Sequence, residues 1–286
     1  MVISAIAIAA CGFSSGSGSG TTTAPAKVAL TSTFLGHLQH VTQVASTVPG
    51  NGDVNPYGVA VVTSSEGKLS AGDTLVSNFN DKANVQGTGS TIVEVSPTGS
   101  SQLFAQVSQL RAGSRCPGGI GLTTALGILP GGWVVVGSLP TTKKGSLPGL
   151  EPAGCLIVLN DQGTPVETIT NRKIVGPWDL TVEANATSAE VFVSNALGGN
   201  TSTDNGTPVA GNCTIVRLDL SYGPSSPPVV TSTTVVGTDF PWHANKAALV
   251  LAPTGLAQGR NGRLYVDDTE TNSISAIPNP LTRLPA

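Results

Sequence analysis

Six oxygen-bearing side chains stand at the ends of similar apolar runs. Asn78, Asn80 and Asp81 follow Leu75-Val76-Ser77, Asn195 follows Val191-Phe192-Val193-Ser194, and Asp267 and Asp268 close Leu264-Tyr265-Val266. Calcium takes six to eight hard oxygen ligands of this kind. Gathered at one mouth, these residues would hold an ion that polarises a carbonyl and activates water. The matching position after Trp133-Val134-Val135-Val136 reads as Gly137, which offers no side chain. A structural reading competes: Asn and Asp accept backbone N–H bonds and permit tight turns after strands.

Other chemistry is sparse. His37 and His40 precede the first apolar run, and His243 follows Trp242. A His with a carboxylate from another segment would make an acid–base pair. Nothing in the spacing joins them, so His243 reads as a lone surface side chain. Gly12-Phe13-Ser14-Ser15-Gly16 has the G-x-S-x-G form. It sits in a flexible run rather than on a strand-to-helix elbow, and reads as chance. Lys143-Lys144 and Arg172-Lys173 read as solvated loop charge. Fourteen basic against seventeen acidic residues give a net charge of −3, which excludes the clustered basic excess that a nucleic-acid partner needs. Asn-x-Ser/Thr strings at Asn185, Asn200, Asn205 and Asn212 read as composition.

The elements that must position these residues are strands. The 286 residues include 35 Gly and 20 Pro and are only 11% charged. No 12-residue stretch has the helical spacing of apolar positions with proper caps. Short runs rich in Val, Ile, Leu and Thr alternate instead with Gly, Pro, Asn and Asp. They recur in order. The first unit has strands at 56–62, 73–78, 90–95 and 102–105. The second has 121–126, 133–137, 154–159 and 165–169. The third has 176–182, 189–195, 213–218 and 229–236. The fourth has 252–257, 261–268 and 272–277, with no fourth strand. Serial four-stranded units read as blades of an all-β propeller, each covered by its neighbours. A stack of sandwiches with the same strand count is the alternative. Long connections between second and third strands would build up one rim, the expected binding face. His40 to Ala45 is the expected closing strand of the last blade. Tyr57 and Trp178 are expected to pack between blades, and Trp242 with Phe240 to line the rim.

Asn55-Pro56-Tyr57-Gly58-Val59-Ala60-Val61, Leu75 to Asp81 and Gly87 to Val93 resemble exported bacterial proteins related to NHL-repeat propellers. Gly262 to Asp268 resembles the general NHL second-strand pattern. The resemblance covers Phe34 to Pro280 and implies a propeller of about six blades, where four are visible. The chain is therefore expected to be incomplete at its C-terminus. A more distant likeness, to the gluconolactonase and regucalcin class, implies a Glu, Asn and Asp set around calcium. No complete set aligns here.

At the other end, residues 1–10 read as a signal-peptide remnant, although no Lys or Arg precedes the apolar run. Ile8-Ala9-Ala10-Cys11 resembles a bacterial lipobox, which makes Cys11 the expected lipidation site. Ten apolar residues are too few to span a bilayer, which needs about 20. Residues 11–29 form a flexible tether, and 30–286 the propeller domain. Three cysteines remain, and the expected disulfide joins Cys116 to Cys155, with Cys155–Cys213 as the alternative. The chain thus reads as an exported propeller, a cell-envelope lipoprotein or secreted, that binds a protein or glycan without catalysis. A calcium-dependent lactonase-like hydrolase or lyase and a structural envelope component are the rivals.

Overall fold

The computed structural model describes Leu38, residues 40–107, Leu110, and residues 115–139, 153–197, 209–245 and 247–283, without the side chains of 209–212. Cys11, His37, Lys143, Lys144, Asn200 and Asn205 lie outside the described residues, as does the side chain of Asn212. Two compact units divide the chain, Met1–Gln43 and Val44–Ala286. The described part of the first carries no strand.

Every named element of the second unit is a strand, and the strands form four antiparallel sheets. Sheet one holds β1 (Val54–Val61), β2 (Thr74–Asn80), β3 (Thr91–Val95) and β4 (Ser101–Gln106). Sheet two holds β5 (Leu122–Leu129), β6 (Trp133–Ser138), β7 (Cys155–Leu159) and β8 (Pro165–Ile169). Sheet three has five strands: β9 (Pro177–Ala184), β10 (Ser188–Asn195), β11 (Val209–Gly223), β12 (Ser226–Asn245) and β13 (Leu249–Leu251). Sheet four holds β14 (Pro253–Gln258), β15 (Arg263–Asp268) and β16 (Ser273–Pro278).

Period-two alternation decides how the sheets stack. In β6 and β7 every residue is buried. Val134, Val136, Ile157 and Leu159 face a core shared with Leu75, Ile92 and Phe104 of sheet one. Val135, Leu156 and Val158 face a second core shared with Leu180, Val191, Val193 and Leu218 of sheet three. The other face of sheet three buries Phe192, Ile215 and Val236 against Leu264, Val266 and Ile277 of sheet four. Each sheet thus covers its neighbour in chain order.

The first strands stand side by side. A Cβ on Gly58 would lie 2.7 Å from the Thr124 carbonyl oxygen, so only glycine allows β1 this close to β5. Thr124 donates its hydroxyl to the Trp178 carbonyl of β9. Asp179 accepts the Leu256 N–H of β14 at 2.8 Å. At the far end of the unit, the buried Arg217 of β11 pairs with Asp219 at 2.8 Å and donates to the carbonyls of Pro280 and Leu281. That clamp holds the segment after β16 to sheet three.

Two expectations need correction here. His40 to Ala45 forms no strand. The Val44 carbonyl instead crosses the turn between β3 and β4, 2.6 Å from where a Cβ on Gly99 would sit. Trp242 and Phe240 do not line a rim; both are buried in the core between sheets three and four. The reason is that β12 continues past Val236, pairing Phe240 with Cys213 and His243 with Leu251. Trp178 is buried, and Tyr57 of sheet one meets its ring edge-on at 5.9 Å while keeping 36% of its own surface exposed.

Cys116 and Cys155 form a disulfide with Cα atoms 5.2 Å apart, and Cys213 is a free, buried thiol. The bond closes a loop across 39 positions. Reduction should lower stability by about 3–4 kcal/mol on loop entropy. Urea midpoints with and without reductant measure this.

Candidate functional site

The register of the sheets defines one set of equivalent positions. Pro56 faces Asn78, Leu122 faces Ser138, Pro177 faces Asn195 and Pro253 faces Asp268. A register shift follows each pairing. The bulge leaves backbone groups without ladder partners, and a polar side chain answers them.

Asn195 shows the arrangement in full. Its Oδ1 accepts the N–H groups of Val175 at 3.0 Å and Gly176 at 3.3 Å. Its Nδ2 donates to the Lys173 carbonyl and to Thr214 Oγ1. Asn78 repeats half of it, donating to the Thr47 carbonyl and to Thr91 Oγ1. Its Oδ1 is buried without a partner. Ser138 plays the part in sheet two, accepting the Gly121 N–H and donating to the Gly119 carbonyl, both at 3.0 Å. The true counterpart there is therefore Ser138 rather than Gly137. A Cβ on Gly137 would lie 2.5 Å from Ala125 Cβ, so the position before it admits no side chain. Asp268 is buried and its Oδ1 accepts the Glu270 N–H at 3.0 Å.

The remaining three members of the expected set lie elsewhere. Asn80 accepts from Asn55 Nδ2 and donates to Asn84 Oδ1. Asp81 Oδ1 accepts the N–H groups of Ala83 and Val85, which shapes the β2–β3 turn. Asp267 is exposed and packs its Cβ against Gly255. Asn78, Asn195 and Asp268 share one level of the sheets; Asn80, Asp81 and Asp267 do not join them. Among the described residues, no group of three or more His, Cys, Asp or Glu side chains is placed to hold a metal ion.

The same level carries two features that spacing in the sequence does not reveal. His243 of β12 pairs through Nδ1 with Oε2 of Glu270, in the β15–β16 turn. Both side chains are largely buried, so His243 is not a surface histidine. The carboxylate orients the imidazole as a base is oriented in acid–base sites. Next, Tyr57 stacks on Phe79 at 4.7 Å, and Trp178 meets Phe79 edge-on at 5.7 Å. This cluster joins sheets one and three where the first strands run together.

Asp179 lies beside it. Burial pushes its carboxyl up to about 6, against the opposing pull of the Leu256 and Leu180 N–H groups and Thr124. Its native value is above the unfolded one, so its contribution to stability is complete below about pH 4 and is lost as pH rises through 6. Asp179→Asn should remove that loss. Relative to the parent, the variant should gain about 2 kcal/mol between pH 4 and pH 8, read from urea unfolding at each pH. The Cys213 thiol is pushed far upward by burial and then by the charge of Asp268, which keeps it protonated and unreactive.

The chain matches no protein-family model, and no curated protein matches it.

Proposed function

We propose that this chain is an exported β-propeller-like scaffold that binds a protein or glycan through loops at the end of the sheets marked by Asn78, Ser138, Asn195 and Asp268. The propeller reading is supported by the first strands, which touch in the order β1, β5, β9, β14 while each sheet covers the next. The NHL resemblance, the lipid anchor at Cys11 and the envelope location belong to the same proposal.

One observation carries the binding role. The polar residues at that end hold the chain's own backbone, while an open cavity of about 740 Å³ lies on the same end. It is lined by Pro117, Thr170, Asn171 and Arg172, among others, from the link before β5 and the link between β8 and β9. Arg172 supplies a planar donor fork for carboxylate or hydroxyl groups. A glycan array probed with the whole chain is the test, followed by affinities for the best ligand. Arg172→Ala should weaken it at least tenfold. Unchanged affinity would remove the cavity from the proposal.

A calcium-dependent lactonase-like activity is the second reading. The buried, unpartnered Oδ1 of Asn78 favours it, because that oxygen is a free ligand at the right level. Stoichiometric calcium in the purified chain, lost in Asp268→Asn, would support it.

A further inference from the structure

The Cys116–Cys155 disulfide stands in the wall of the Arg172 cavity. Cys116 precedes Pro117 and Cys155 follows Ala153 and Gly154, and those neighbours line the cavity. Three backbone segments meet there. The link before β5 brings Pro117, the approach to β7 brings Ala153 and Gly154, and the link between β8 and β9 brings Asn171 and Arg172.

The three segments are held unequally. Asn171 fixes the third: its Nδ2 donates to Thr233 Oγ1, and its Oδ1 and carbonyl accept the N–H groups of Lys173 and Ile174. Asn195 holds the same link at the Lys173 carbonyl and the Val175 N–H. The second segment joins the third where the Gly154 N–H donates to the Val175 carbonyl at 2.7 Å. The first segment is tied more loosely around Pro117, which has no N–H to give. Gly118 donates its N–H to the Ala153 carbonyl at 2.8 Å, and Arg115 donates its own to Thr168 Oγ1 at an exposed position. The disulfide is the third tie, and the covalent one. Without it, two hydrogen bonds near solvent hold that wall, and such bonds open locally at low cost.

Access to the bond is one-sided. Cys155 is fully buried, whereas Cys116 is half-buried between the exposed Arg115 and Pro117. A dithiol therefore attacks Cys116 Sγ. The S–S bond breaks, Cys155 leaves as a thiolate and takes a proton, and a mixed disulfide remains on Cys116. The second thiol of the reagent attacks its own bound sulfur, closes a cyclic disulfide and releases Cys116 as the second thiol. Two electrons and two protons pass from the reagent to the protein.

We propose that Cys116 and Cys155 are positioning residues for the cavity, and that reduction of their bond releases the wall that carries Pro117 and opens the site. The inference rests on the binding role proposed above for the same cavity.

The test uses the whole chain, oxidised and after reduction by dithiothreitol, in buffer without urea. Amide hydrogen exchange reads the wall with no ligand present. Gly118 should exchange at least tenfold faster after reduction, with Gly154 and Ile174 unchanged, because their bonds lie on the anchored side. Methyl glucuronide, which offers Arg172 a carboxylate and hydroxyls, reads the site. Its affinity should fall at least tenfold on reduction and return on reoxidation. Cys116→Ala/Cys155→Ala should match the reduced chain in both readouts; reduction of the folded parent gives the same answer if that variant does not fold. Unchanged exchange at Gly118 would overturn the proposal. So would equal acceleration at all three amides, which would leave the bond a role in global stability alone, or equal affinity in both redox forms. Selective opening at Gly118 with no glucuronide binding in either form would support the positioning role and count against the cavity's binding role instead.

Discussion

Asn195→Ala should destabilise the chain by about 3–5 kcal/mol. The side chain satisfies two backbone N–H groups, one carbonyl and one hydroxyl, and is almost fully buried. Truncation leaves those groups without partners, and each buried orphan costs about 1–3 kcal/mol before relaxation. The equivalent positions should follow in a graded order. Asn78→Ala should cost about 2 kcal/mol, because only its amide nitrogen is engaged. Ser138→Ala should cost about 1–2 kcal/mol for two hydrogen bonds through a smaller group. Urea midpoints of the three variants test the order. Equal and small effects would mean that the bulges hold without these side chains.

Trp178→Ala should have an effect of similar size, about 3–5 kcal/mol, through the cavity it leaves. The indole is 2% exposed and touches the rings of both Tyr57 and Phe79. It is the point where a side chain of sheet one enters the core between sheets three and four. Trp178→Phe keeps an aromatic there and should cost about half as much. If Trp178→Ala left the midpoint unchanged, the convergence of first strands would not be a source of stability.

How far the sequence reveals this molecule depends on the scale of the interaction. Strands such as Trp133–Ser138 are legible because their apolar runs are long and their ends carry Gly or Asn. The three residues of β13 are too few to show any period, and β12 runs on through Pro241 because Cys213 and Leu251 offer ladder partners. Neither partner is visible from local composition. The strand-end set is half legible. Asn78 and Asn195 stand out by type, but Ser138 is found only through its pairing with Leu122. Counting from the end of the apolar run selects Gly137 instead, because the run itself does not mark where the bulge falls. The His243–Glu270 pair joins two sheets across a turn, and no spacing rule connects such residues.

The most direct measurement is urea unfolding of the whole chain in calcium and in chelator. Asn78, Asn195 and Asp268 serve the protein's own backbone, so the two curves should superimpose. A midpoint raised by calcium, with the increase abolished in Asp268→Asn, would contradict that assignment and move the strand-end residues from scaffold to metal site.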